Sequence, residues 1–206
     1  MATFTPQLTA YSPDDVYTSP YYTGLAGGYS PAMPNCTRYA YGRWWALMGQ
    51  QPSGLYGLGN AEQWWGNCQA YQKGQTPKLG AIVCFADGPY SGWGHVAVVE
   101  KIYSDGKVLF SNSALRGSMF YLRCGSPANN FHDGGHGQHG YEPEYIFQGF
   151  IYFPTDYDPD IDPSPDPGPD PDQPDPGGYR ANPLIRYVAK KQIYRNQGRL
   201  FNDIYK

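Results

Sequence analysis

Long apolar runs are missing from this 206-residue sequence. No stretch approaches the ~20 residues that a membrane-spanning helix needs, which sets that class of protein aside. The stretch from Met1 to Tyr11 has neither a basic start nor an apolar core, so no secretory leader is expected there. The four cysteines, at 36, 68, 84 and 124, show no CxxC pair, which removes the common zinc-site spacings and leaves free thiols as the expectation. Asp and Glu are absent from residues 20–35. Charge of either sign is sparse over residues 1–154, which hold 8 basic and 9 acidic groups, so no strongly basic or acidic face is expected in that part.

Aromatics, glycine and proline fill the space. With 20 Tyr, 5 Trp and 9 Phe the core can be built from rings, and 26 Gly with 20 Pro predict many loops and turns. Charge gathers at the end of the chain. Residues 155–178 hold 8 Asp and no base, and residues 179–206 hold 7 basic groups against 1 acidic. The repeated Asp-Pro dipeptides of the first of these blocks lack backbone donors and repel one another, so an extended linker is expected. The basic block is too short for a core of its own. It reads as a tether, a docking arm or a truncated second domain, with a possible hairpin around Gln197-Gly198. Seven cations without a stacking motif do not suggest nucleic acid. An anionic polymer or a protein partner is the expectation for this block.

The periodicity divides residues 1–154 into helices first and strands afterwards. Residues 1–34 read as an extended lead-in. Cys36 to Met48 has helical spacing, with Asn35 as N-cap and Gly49 as the stop. A second helix opens after Asn60 and is expected to run to about Gly74; of Trp64 and Trp65, one fills the core and the other edges a cleft. Short strands follow at 81–85, 95–103, 107–113, 119–123 and 148–154, with Asp105-Gly106 as a hairpin turn. This order predicts an α+β fold with the N-terminal helices packed on an antiparallel sheet.

Two stretches carry chemistry. Asn35-Cys36-Thr37-Arg38-Tyr39-Ala40 puts a thiol at a helix start, where the positive end of the helix dipole lowers its pKa. Gly94-His95-Val96-Ala97-Val98-Val99-Glu100 puts an imidazole at the mouth of a strand. Brought together, the two can form a thiolate–imidazolium pair able to attack an acyl carbon. The imidazole needs an orienting partner. Glu100, five residues along the strand, falls on the face opposite His95. Asn112 shares the face of His95 in either register open to the hairpin. Cys68, Cys84 and Cys124 read as inert, Cys84 as a small hydrophobe inside a strand. The segment Phe131 to His139 holds three of the four histidines, but its Gly-rich spacing matches no metal motif, and a polar loop at a cleft rim is expected.

The strings NCTRYA, LGAIVCF, GHVAVVEKI and LFSNSALRG, in that order over roughly residues 30–154, resemble a CHAP domain (cysteine, histidine-dependent amidohydrolase/peptidase), a relative of papain-like and NlpC-type hydrolases. The resemblance implies Cys36 as nucleophile, His95 as general base and Asn112 as the third member, where many relatives carry Glu. It implies an oxyanion site at the Cys36 backbone N–H with Asn35 beside it, where relatives often have Gln. Trp93 and Trp64, with Trp65 and Trp44 or Trp45 as further candidates, would line the substrate groove. Some relatives bind calcium through acidic residues just before the cysteine; residues 20–35 have none, so neither metal nor cofactor is expected. The activity implied is hydrolysis of an amide of peptidoglycan by a bacteriophage endolysin or tail-associated lysin, made in the host cytoplasm and acting at the wall. The alternatives are a papain-like protease acting on protein and an inactive wall-binding or virion module.

Overall fold

The computed structural model describes residues 4–11, 35–87, 93–113, 119–131, 145–154 and 161–162. The expectations for the remainder of the lead-in, the three histidines at 132–139, nearly all of the Asp-Pro segment and the basic block lie outside the described residues. Every described residue belongs to the first of two units, residues 1–169.

Helix α1 is Cys36–Met48 and helix α2 is Ala61–Asn67. The strands are β1 Lys73–Gly74, β2 Ile82–Ala86, β3 His95–Tyr103, β4 Val108–Asn112, β5 Tyr121–Gly125, β6 Ile146–Ile151 and β7 Ile161–Asp162. They form one sheet in the order β1-β6-β2-β3-β4-β5, antiparallel throughout, with β7 lying parallel against the end of β3. Helices followed by an antiparallel sheet are the α+β arrangement the sequence predicts.

Local chemistry explains both helix starts. The Asn35 side chain accepts from the backbone N–H of Thr37 at 2.9 Å and of Arg38 at 3.1 Å, which satisfies donors that a first turn leaves without partners. Gly49 ends α1 at φ +67°, with its N–H on the Trp45 carbonyl at 2.8 Å. Asn60 and Gln63 form a capping box at α2. That helix ends at Asn67, well short of the expected Gly74. Gly66 and Asn67 are poor helix formers, Cys68 is already extended, and the chain turns back so that β1 can pair with β6.

Strand alternation sorts the core into two layers. Ile82, Cys84, Val96 and Val98 face the helices and meet Tyr39, Ala40, Trp44 and Trp64. Val83, Phe85, Ala97, Val99 and Phe110 face the other way and meet Phe131 and Phe150. The first nine residues of α1 are buried, Arg43 among them. Arg43 is accommodated because Glu100, on the helix face of β3, accepts from its Nε at 3.0 Å and its Nη2 at 2.9 Å. Ser111 Oγ at 2.7 Å and the Gln7 N–H at 2.8 Å complete the shell of that carboxylate. Burial raises the Glu100 carboxyl above its ordinary value, and these donors pull it back.

Candidate active site

Cys36 is the first residue of α1, held there by the Asn35 cap. Its sulfur sits against the backbone N–H groups of Thr37, of Cys36 itself and of Val96, the residue that follows His95. The helix start is thereby docked on the start of β3. The expectation of a lowered thiol pKa does not hold for this state. Burial pushes the thiol up to about 11, and the backbone N–H groups only partly offset it. A nucleophile at this position therefore needs a base to take its proton.

His95 is positioned by a glycine. Gly94 has φ +63°, and a Cβ there would lie 2.4 Å from the Phe85 carbonyl oxygen and 2.5 Å from the Glu62 nitrogen. Only glycine lets the chain pass between β2 and the first turn of α2 on its way into β3. His95 pairs with Phe85 across the strands and is 3% exposed.

Asn112 is the partner of the imidazole. Its Oδ1 lies 2.9 Å from His95 Nε2, and its Nδ2 donates to the Phe110 carbonyl at 3.1 Å. The second bond fixes which end of the amide faces the ring. Because Oδ1 accepts, Nε2 carries the proton, and Nδ1 is the nitrogen able to receive another. The pairing of Val98 with Ser111, carried one step further, sets Asn112 level with Ala97, a diagonal neighbour of His95. Glu100 lies in the bulge of this ladder and serves Arg43 on the other face.

Rings and hydroxyls close the site. The Tyr145 ring stacks on His95 at 5.5 Å between centroids and 21° between planes, and Phe85 stacks at 6.4 Å and 25°. The Tyr121 hydroxyl, cross-strand from Asn112, is buried without a hydrogen-bond partner among the described residues. Both tyrosine hydroxyls lie within electrostatic range of Cys36, and burial holds both phenols well above their ordinary values. The Asp87 carboxylate also reaches Cys36 and Tyr145, and it accepts from the Trp93 N–H at 2.9 Å. Sequence reasoning passed over Tyr145, Tyr121 and Asp87. Tyr121 shares the parity of Asn112 across a hairpin and was the most accessible of the three to such reasoning.

The aromatic candidates separate. Trp93, two residues before His95, is 51% exposed. Trp64 is 0% exposed and donates its indole N–H to the Gly59 carbonyl at 3.3 Å. It belongs to the core and cannot touch a substrate. Its neighbour Trp65 is half-buried, with the Lys73 ammonium 5.2 Å from its ring. Trp44 is likewise core, bonded to the Gly80 carbonyl at 2.7 Å. The Asn35 oxygen is occupied by its cap, which fixes the amide beside Cys36. All four cysteines are free.

Comparison with known proteins bears on the family. Residues 26–114 match the family model of the CHAP domain. An N-acetylmuramoyl-L-alanine amidase domain-containing protein of Staphylococcus aureus is 39% identical over 98 residues, covering 43% of this chain and 15% of that protein. A probable autolysin of the same organism is 36% identical over 80 residues, covering 39% of this chain and 27% of that protein. A crystal structure of an N-acetylmuramoyl-L-alanine amidase from Staphylococcus aureus is 36% identical, covers 46% of this chain and 27% of that chain, and has a TM-score of 0.38. The chain thus spans about a quarter or less of the length of these relatives. Residues 26–114, which include Cys36, His95 and Asn112, are thus similar to the CHAP domain.

Proposed function

We propose that this protein is a peptidoglycan hydrolase that cleaves an amide of the bacterial cell wall through a Cys36 thiolate. The relatives support the substrate class, being named as amidases and autolysins. The observation that carries the mechanism is the His95–Asn112 bond at 2.9 Å, which leaves Nδ1 as the proton-accepting nitrogen next to a helix start bearing a thiol.

The steps follow from that arrangement. His95 Nδ1 takes the Cys36 proton, and the thiolate attacks the amide carbon. A C–S bond forms while the carbonyl π pair moves onto oxygen, and the Cys36 backbone N–H and the Asn35 amide donate to it. Collapse expels the amine, which takes the proton from the imidazolium. Water, deprotonated by His95, then hydrolyses the thioester and regenerates the thiol. Trp93 offers an exposed ring against which a sugar or peptide face packs.

The bond is the N-acetylmuramoyl-L-alanine amide or one within the stem peptide or cross-bridge, and the setting is that of a phage lysin acting at the wall. A zymogram tests the reading. Wild-type chain should clear bands in embedded cell walls and leave casein intact, and Cys36→Ala should clear neither. Clearing of casein in place of walls would make it a protease on protein, and lysis undiminished in Cys36→Ala would end the thiol mechanism. Mass spectrometry of released muropeptides identifies the bond from the new N-terminus.

A further inference from the structure

The plane of an imidazole is set by what packs on its faces as well as by its hydrogen bonds. The contact from Asn112 Oδ1 to Nε2 fixes one atom of the ring. The tilt of the plane decides whether Nδ1 points at the sulfur. Among the described residues two rings stack on the imidazole and bear on that tilt. Phe85 lies across the ladder with its centroid 6.4 Å away, and Tyr145 lies at 5.5 Å with planes 21° apart. Only Tyr145 falls inside the ~6 Å within which a ring face supports a cation. It is half-buried, one residue ahead of β6, and is anchored because Ile146 pairs with Ala86.

We propose that Tyr145 is a positioning residue for the Cys36–His95 pair: its ring fixes the imidazole plane and supports the imidazolium that forms when His95 takes the thiol proton. The inference rests on the thiol–imidazole reading of the site. Among the described residues, the titratable and charged groups that interact electrostatically at this site are the Cys36 thiol from α1, the Asp87 carboxylate after β2, the Tyr121 phenol and Arg123 from β5, and Tyr145 itself. Burial holds both phenols protonated, so neither competes as a base. Asp87 opposes the Cys36 thiolate. The aromatic face alone favours the cation at no cost to the sulfur.

The test compares full-length wild type, Tyr145→Phe and Tyr145→Leu, with Tyr145→Met in place of the leucine variant if that one does not fold. The first readout is alkylation of Cys36 by iodoacetamide between pH 5 and 10, followed peptide by peptide so that the other cysteines are scored separately. Wild type and Tyr145→Phe should agree within about threefold and react at neutral pH. Tyr145→Leu should react about tenfold more slowly at neutral pH, its rate rising only toward alkaline pH as for an unassisted thiol. On walls, kcat should fall by the same factor with KM within threefold. A leucine variant as reactive as wild type overturns the proposal, as does a phenylalanine variant as slow as leucine, which would assign the role to the hydroxyl. Alkylation needs no wall, so a Tyr145-dependent Cys36 in a protein that clears no walls refutes the substrate assignment and leaves this inference standing.

Discussion

Replacing Asn112 with alanine is the most direct test of the catalytic geometry. The substitution removes the 2.9 Å bond to Nε2 from a position where His95 is 3% and Asn112 0% exposed, so water does not readily replace the lost acceptor. A buried donor left without a partner costs about 1–3 kcal/mol. Expressed as lost population of the reactive ring orientation, that is about a 5- to 150-fold fall in kcat, at 1.36 kcal/mol per tenfold. The free ring also gains access to the other tautomer, with the proton on Nδ1, which cannot act as base toward sulfur. Two measurements decide the matter. Steady-state release of amine groups from solubilised peptidoglycan gives kcat and KM, and nitrogen NMR of labelled His95 gives the tautomer. Wild type should show the proton on Nε2. An alanine variant within twofold of wild type, with thermal stability unchanged, would refute the orienting role. So would a wild-type proton on Nδ1.

Four further outcomes are expected. Gly94→Ala should destabilise by at least about 2 kcal/mol and cost activity disproportionately, because a β-carbon at φ +63° meets two backbone segments and moves His95; calorimetry and wall clearing report both. Arg43→Leu leaves Glu100 charged and buried, a loss of about 3–5 kcal/mol in urea unfolding, and Arg43→Leu combined with Glu100→Leu should recover most of it. Cys36, raised to about 11, contributes stability that is whole below the unfolded thiol value near pH 9 and is lost as pH rises toward 11; the stability difference between wild type and Cys36→Ala should shrink over that interval and stay flat from pH 6 to 8. Trp93→Ala should raise KM on walls several-fold with little change in melting temperature, since its ring is largely in solvent.

Parity along strands made much of the site legible before any coordinates. An odd separation put Glu100 across the sheet from His95, and the structure shows it engaged with Arg43 there. An even relation put Asn112 on the correct face in any allowed register, and it is bonded to the ring. The caps at Asn35 and Asn60 and the stop at Gly49 are local chemistry and were equally readable. What escaped depends on distant partners. Strand β1 is two residues long and exists only because β6 lies beside it. The end of α2 follows from that same pairing. The choice between Trp64 and Trp65 turns on which face of one short helix meets β2. The state of the thiol turns on burial, which a dipole argument from sequence does not weigh. Tyr145 reaches His95 from the residue just before β6, with no sequence signal to announce it.

The buried carboxylate of Glu100 also bears on where this chain can be cut. Three residues of the N-terminal stretch touch the carboxylate or its Arg43 partner. The Gln7 amide donates to it directly, and the Thr5 carbonyl receives Arg43 Nη2 at 2.6 Å while the Phe4 ring lies under the same guanidinium at 5.4 Å. The family match begins only at residue 26. A fragment trimmed to that boundary would keep both charges of the pair and discard part of the shell that lets them stay dry. Residues 4–11 behave as an inner lining of the folded unit, and any engineered chimera should carry them along.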